Sequence, residues 1–128
     1  LLKHKEISRA IYPTEHKKVI DNRARKYLKG SNDAMIGIEI KRGIEAGKRF
    51  IESLKMFYHV ANIGDARSLA IHPASTTHSQ LNEKELIASG VTLSYVRLCI
   101  GIEHIDDIIE DLDQALNKSS KGKLKAVS

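Results

Sequence analysis

The residue with the clearest chemical potential is Arg97, which interrupts a run of apolar residues. Val96 and Leu98 flank it, and because successive side chains of a strand point to opposite faces, Arg97 is expected to project away from the apolar face. A guanidinium at this position can be an exposed strand residue, a partner in an internal salt bridge, or a binding group for a carboxylate or phosphate. The spacing alone leaves these roles open.

A second candidate is the polar loop His72–His78, whose sequence is HPASTTH. Loops of small hydroxyl residues on a rigid scaffold are suitable places for binding groups. The two histidines do not predict a zinc site, because no third ligand lies at a familiar spacing. Ser75 and His78 do not predict a hydrolase either, since the glycine-flanked turn that exposes a nucleophilic serine is missing.

Two further features have both a structural and a functional interpretation. The turn Asn62–Asp65 contains residues that tolerate positive φ, and it could also offer an amide and backbone donors to a ligand. Cys99 lies between two apolar residues, which favours an inert buried side chain over a nucleophile. Residue chemistry by itself therefore indicates an α/β domain without a defined role.

Short strands that alternate with helices must position these residues. Patterns with a period of two predict strands over residues 7–11, 34–40, 69–71 and 96–100. Apolar residues at helical spacing predict helices over residues 44–58, 83–88 and 105–116, after an earlier helix that Thr14 caps and Gly30 ends. Residues 59–68 are expected to be irregular. This order predicts an α/β domain with helices packed on one face of a small sheet.

The charge distribution argues against a nucleic-acid partner. The chain has 128 residues and a net charge of +5, and its length is that of one domain. Residues 117–128 hold four lysines and no acid, which leaves 17 basic and 16 acidic residues in 1–116. We therefore interpret 1–116 as the domain and 117–128 as a basic, flexible tail.

Other compositional features exclude further classes of protein. No run approaches the roughly 18 apolar residues of a membrane span, and no signal-peptide pattern opens the chain, so no membrane partner is expected. The single cysteine, Cys99, excludes an internal disulfide and favours a reducing, cytoplasmic setting. Because the chain begins with Leu1 rather than methionine, we expect it to be a piece of a longer protein.

Three strings of the sequence together resemble one enzyme family. They are ANIGDARS at 61–68, HPASTTH at 72–78 and VRLCIGIE at 96–103. Their order and intervals are similar to those of the C-terminal domain of the Cys/Met-metabolism enzymes, which depend on pyridoxal phosphate and have fold type I. Within the family, the resemblance is greatest to the O-acetylhomoserine sulfhydrylases. It runs from about Leu1 to Leu116 and leaves only the tail uncovered.

The resemblance implies roles for three residues in substrate binding. Arg97 matches the family arginine that pairs with the α-carboxylate of the amino-acid substrate. Asn62 falls where relatives usually have a serine near that carboxylate and the cofactor edge, so it is expected to be a second contact. Thr77 matches a threonine near the mouth of the active site. One departure is Arg42, in a turn where relatives often have two glycines, and it is expected to alter that turn slightly.

The resemblance also implies a cofactor and a reaction. Pyridoxal 5'-phosphate would be bound mainly by a preceding large domain that holds the cofactor lysine, so this segment is expected to contain no catalytic, cofactor-binding or metal-binding residue and to be inactive alone. The implied enzyme is a cytoplasmic homotetramer that replaces the acetate of O-acetylhomoserine with sulfide to form homocysteine. The alternatives are an O-succinylhomoserine sulfhydrylase, a methionine γ-lyase, or a truncated remnant with a structural role.

Overall fold

A computed structural model of the chain describes residues 1, 3–13, 26–28 and 34–121. The described strands form one sheet in the order β1-β2-β5-β4-β3, in which β3 and β4 are parallel and the other pairs antiparallel. The strands are β1 (Ile7–Ile11), β2 (Met35–Ile40), β3 (Tyr58–His59), β4 (Leu69–Ile71) and β5 (Tyr95–Cys99). Three α-helices have both ends within the described residues: α1 (Gly43–Ser53), α2 (Glu83–Ala88) and α3 (Ile105–Ser119). Residues 26–28 are also helical.

The core lies between the two central strands and two helices. Ile38 of β2 pairs with Val96 of β5, and both side chains are fully buried, as is Leu98. Helices α1 and α3 pack against this face with apolar residues that belong to the same buried cluster, among them Phe50, Ala46, Leu112 and Leu116. The predicted α/β class, with helices on one face of a small sheet, is confirmed. Arg97 is left on the opposite face, as its position in the strand predicts.

The end of α1 differs from the prediction. The apolar spacing predicts a helix that continues to Tyr58, but α1 ends at Ser53 and Tyr58 begins β3. The placement of Phe57 and Tyr58 on the helix is therefore wrong, and so is the expectation that 59–68 is wholly irregular, because His59 lies in β3. The cause lies in α3, far along the chain.

Asp111 of α3 holds the backbone that follows α1. Its carboxylate accepts hydrogen bonds from the backbone N–H groups of Lys55 at 2.9 Å, Met56 at 2.8 Å and Phe57 at 3.4 Å. Gln114 donates a further bond to it at 2.9 Å. Burial by itself would raise the pKa of Asp111, but these hydrogen bonds outweigh burial and lower it. Amides that bind this carboxylate turn the chain out of the helix and into β3.

The last helix extends past residue 116, where the sequence analysis placed the end of the domain. Helix α3 continues to Ser119, past the boundary at residue 116, and the side chain of Ser119 is fully buried. Arg49 of α1 donates to the Ser119 carbonyl at 3.1 Å, which ties the two helices together. Residues 122–128 of the predicted tail lie outside the described residues, as does most of the helix predicted between Thr14 and Gly30.

The turn between β2 and α1 contains an unusual backbone conformation at Arg42. Its φ of 77° is left-handed, a region that glycine adopts easily and that a side chain disfavours. Two contacts hold the Arg42 guanidinium in place. Its Nε lies 3.5 Å from the Glu6 carboxylate, and its Nη1 donates to the Ser120 carbonyl at 3.4 Å. These contacts compensate in part for the strain at a turn where a glycine would be relaxed.

His72 directly follows β4, and its side chain is fully buried. Its Nε2 lies 2.9 Å from the Leu93 carbonyl and its Nδ1 lies 2.8 Å from Ser75 Oγ. A Cβ added to Gly47 of α1 would approach Nε2 to 2.6 Å, so the glycine leaves room for the ring. Burial lowers the pKa of His72, although the hydrogen bond to Leu93 opposes that shift. The ring is therefore a neutral link between β4 and the segment before β5.

Replacement of Asp111 should destabilise the fold. We expect Asp111→Asn to lower the free energy of unfolding by about 2 kcal/mol, because buried backbone N–H groups lose a charged acceptor. Urea denaturation measures the change. Asp107→Asn, an exposed carboxylate on the same helix, is the matched control and should have an effect of about 0.5 kcal/mol or less. Equal effects of the two substitutions would contradict this role of Asp111.

The buried His72 predicts how stability depends on pH. Its ordinary pKa of 6.5 is lowered in the folded chain, so below that pH the unfolded chain binds a proton that the folded chain does not. The free energy of unfolding should therefore fall as the pH decreases below 6.5, and His72→Gln should flatten this dependence. Urea titrations at several pH values from about 8 to about 5 measure it. An identical slope in the parent and the variant would contradict the assignment.

Candidate functional site

Arg97 projects from the centre of the sheet on the face opposite the core. Across the sheet it pairs with Gly37 of β2 and Ile71 of β4. Its Nη2 donates to the backbone carbonyl of Asn62 at 3.2 Å, while its Nε is buried and has no hydrogen-bond partner. A guanidinium has five N–H donors, and one described bond leaves most of this capacity for a ligand. Arg97 is thus held on one side and unsatisfied on the other.

Asn62 meets Arg97 through its backbone rather than its amide. The Asn62 carbonyl accepts the bond from Arg97 and also lies 3.6 Å from the Cys99 thiol. Its side-chain Oδ1 instead accepts the N–H of Ile63 at 2.9 Å, which stabilises the turn. The structure therefore brings two of the three predicted site residues together, and it shows Asn62 holding the arginine in place.

Cys99 fits the structural interpretation given to it by its apolar neighbours. The residue is 7% exposed, and its thiol faces the Asn62 carbonyl, where it is a weak donor. It lies two positions after Arg97 on the same strand face. Cys99 therefore contributes packing beneath the Asn62 turn.

Thr77 is not joined to the other two predicted residues. Its Oγ1 lies 2.8 Å from Nδ1 of His78, and the residue is exposed. Within the described part of the chain, no hydrogen bond links Thr77 to Arg97 or Asn62. The role of Thr77 in substrate binding stays a prediction.

A partly buried hydrogen-bond network that the sequence reasoning missed fixes the end of the segment that carries Asn62. Glu103 accepts hydrogen bonds from the backbone N–H of Ser68 at 2.6 Å and from its hydroxyl at 2.8 Å. Ser68 Oγ in turn accepts from Gly101 N–H at 2.9 Å, and the Ser68 side chain is fully buried. Burial would raise the pKa of Glu103, but the bonds from Ser68 lower it. The network joins the start of β4 to the segment after β5.

The sequence feature that could have revealed this network is the position of Glu103 within a conspicuous motif. Glu103 is the last residue of the string VRLCIGIE, which begins at Val96. The spacing of residues within this string did not indicate a role for Glu103. Gly101 shows why the string has a glycine: a Cβ there would collide with the carbonyl of Ala66 and lie 2.5 Å from the Glu103 carboxylate. Close approach of two loops therefore requires glycine at this position.

The donors of Arg97 suit an anionic ligand. In residues 1, 3–13, 26–28 and 34–121, no three His, Cys, Asp or Glu side chains are placed to hold a metal ion. Over the same residues, no helix has the length and apolar character needed to cross a membrane. The Arg97 fork suits a carboxylate, whose two oxygens match parallel N–H donors.

Loss of the Glu103 carboxylate should loosen the segment before β4. In Glu103→Ala, we expect the amide protons of Ser68 and Gly101 to exchange with solvent at least about tenfold faster, because their acceptors are lost or displaced. Hydrogen–deuterium exchange measures the rates. Glu52→Ala, on the exposed side of α1, is the control and should leave both rates unchanged. Unaltered exchange in Glu103→Ala would show that the network does not restrain this segment.

Comparisons with known proteins identify the family of the chain. The model of the Cys/Met metabolism PLP-dependent enzyme family matches residues 1–117. An O-acetyl-L-homoserine sulfhydrylase of Leptospira meyeri is 50% identical over 117 residues, which cover 91% of this chain and 26% of that protein. O-acetyl-L-homoserine sulfhydrylase 1 of Thermus thermophilus is 46% identical over 116 residues, 91% of this chain and 28% of that protein.

A solved structure shows the same fold. A crystal structure described as an O-acetylhomoserine (thiol)-lyase of Campylobacter jejuni, with a pyridoxyl-lysine phosphate group, superposes with a TM-score of 0.81 at 41% identity. The match covers 91% of this chain and 28% of that one. The chain therefore spans about a quarter of the length of the relatives it matches. It belongs to the Cys/Met metabolism PLP-dependent enzyme family.

Proposed function

We propose that this chain is the part of a longer PLP-dependent O-acetylhomoserine sulfhydrylase that binds the α-carboxylate of the substrate. The complete enzyme would replace the acetoxy group on Cγ of O-acetyl-L-homoserine with sulfide: the Cγ–O bond breaks, acetate leaves, and a Cγ–S bond forms to give homocysteine. The observation that supports this role is the Arg97 guanidinium, which the Asn62 carbonyl holds while Nε is left without a partner. A carboxylate is the ligand that such a donor group fits best.

The geometry explains how the arginine would orient a substrate. Arg97 lies on a central strand with paired strands on both sides, so its backbone is rigid. The bond from Nη2 to Asn62 restrains the guanidinium, and a carboxylate that binds its remaining N–H donors lies in the plane of the group. Holding the carboxylate fixes the orientation of the substrate Cα–H bond, which lowers the entropic part of the barrier.

The residues around Arg97 fit the acid end of an amino acid that reacts with the cofactor. Pyridoxal phosphate, when bound, supplies the electron sink of the reaction. Arg97 with its unpaired buried donor fits the negative charge of the amino acid. We place the lysine and the groups that hold the cofactor ring and phosphate outside this chain. The contribution of this chain is then binding and orientation.

The names of the relatives favour sulfhydrylation over elimination. Besides the two sulfhydrylases, a homocysteine synthase of Schizosaccharomyces pombe is 42% identical over 116 residues, and the match covers 27% of that protein. An L-methionine gamma-lyase of Fusobacterium nucleatum is also 42% identical, over 118 residues, so methionine γ-lysis is the second candidate. Activity with O-acetyl-L-homoserine and sulfide, against activity with L-methionine, distinguishes them.

Further properties follow from the same proposal. We place the complete enzyme in the cytoplasm, which the single buried cysteine supports. We also propose that it assembles as a homotetramer, and that the folded unit predicted over residues 1–116 includes the end of helix α3 at Ser119, with the basic extension after it. Sedimentation of the complete enzyme, with and without residues 122–128, tests the assembly and the dispensability of the extension.

The role of Arg97 predicts a loss of substrate affinity in the complete enzyme. Arg97→Ala should raise the Michaelis constant for O-acetyl-L-homoserine by about 10- to 100-fold, because a charged bidentate contact is lost. Arg97→Lys should recover only part of the affinity, since an ammonium lacks the planar fork. Steady-state kinetics at saturating sulfide measure the Michaelis constant of each variant.

The matched control for these variants is Arg9→Ala. Arg9 lies on the edge strand β1, where its Nη1 is 3.9 Å from the Glu39 carboxylate and its side chain is 55% exposed. Its replacement should leave the Michaelis constant within about twofold. If Arg97→Ala behaved like Arg9→Ala, Arg97 would be a structural residue and the proposed role would be wrong.

A further inference from the structure

A tyrosine lies beside Arg97 on the open face of the sheet. Tyr95 and Arg97 are two residues apart on β5, so their side chains leave the strand on the same side, roughly 6.8 Å apart at the backbone. Tyr95 is half-buried, and the sequence prediction began the strand one residue later, at Val96. The structure adds Tyr95 to the face that carries the candidate site.

The position of Gly37 shows which way the phenol leans. A Cβ added to Gly37 would lie 2.7 Å from Cε2 of Tyr95 and 2.8 Å from its hydroxyl oxygen. The ring therefore lies across the glycine, where a side chain would displace it. Gly37 pairs directly with Arg97 in the β2–β5 register. The hydroxyl group thus lies over Gly37, the residue of β2 directly opposite Arg97 in the register.

The described residues give the hydroxyl group of Tyr95 no hydrogen-bond partner. Glu39, which pairs with Tyr95 in the register, accepts instead from Thr92 Oγ1 at 3.4 Å and lies 3.9 Å from Arg9 Nη1. Burial raises the pKa of Tyr95, although the nearby charge of Arg97 opposes the shift. The phenol is therefore a protonated donor at neutral pH, within the electrostatic reach of Arg97.

We propose that the Tyr95 hydroxyl donates a second hydrogen bond to the carboxylate that Arg97 binds. This inference rests on the proposed function of Arg97 and adds a substrate-binding residue to it. A phenol donor next to a guanidinium completes a two-sided site, in which Arg97 supplies the charge and Tyr95 limits rotation of the carboxylate about the fork. Gly37 is the residue that makes room for this arrangement.

The test is Tyr95→Phe in the complete enzyme, which removes the hydroxyl and keeps the ring over Gly37. The Michaelis constant for O-acetyl-L-homoserine should rise roughly tenfold with kcat within about twofold, as expected for a lost hydrogen bond to a charged group. In an Arg97→Ala background the same substitution should change the constant by less than about twofold, because the carboxylate is no longer held beside the hydroxyl.

The matched control is Tyr58→Phe, since Tyr58 is 51% exposed and its ring stacks with Arg67 at 4.1 Å. It should leave the Michaelis constant unchanged. An unchanged constant in Tyr95→Phe, with a raised constant in Arg97→Ala, would overturn the role of Tyr95 and leave the proposed function standing. Equal effects of Tyr95→Phe with and without Arg97 would also overturn it. An unchanged constant in Arg97→Ala would overturn both proposals.

Discussion

The alternation of side chains along β5 is the constraint on which the site depends. Val96 and Leu98 must enter the core under α1 and α3, and both are fully buried. A strand that buries these two residues has to present Tyr95, Arg97 and Cys99 on its other face. A shift of the register by one residue would place the guanidinium in the apolar core, where an unpaired charge is very unfavourable. The core therefore determines where the arginine can act.

The remaining parts of the site depend on contacts between distant segments. The Asn62 carbonyl reaches Arg97 across 35 residues of sequence, and the segment that carries it is fixed at Ser68 by Glu103, also 35 residues away. Asp111 is a second charged acceptor that binds backbone N–H groups, and it holds the backbone that follows α1. Such bonds stabilise loops that have few apolar contacts of their own. The scaffold thus holds the arginine and its neighbouring turn with little freedom.

The sequence predicted those features that depend on local periodicity. The face of Arg97 followed from the alternation around it, and the capping box of α2 followed from the spacing of Asn82 and Glu85. The end of α1 did not follow, because Asp111 lies 56 residues from the backbone of Lys55 that it binds. The network of Glu103 could not be predicted for the same reason, since Ser68 and Glu103 are far apart in the sequence. Arg97 required the family resemblance as well, since a strand arginine alone has several roles.

The central claim is that Arg97 binds the carboxylate of an amino acid, and a crystal structure of the complete enzyme with O-acetyl-L-homoserine or a stable analogue tests it most directly. The account predicts the substrate carboxylate in hydrogen-bond contact with the guanidinium, at about 2.7–2.9 Å, while the Asn62 carbonyl still contacts Nη2. A carboxylate bound by another group, with Arg97 unliganded, would contradict the account.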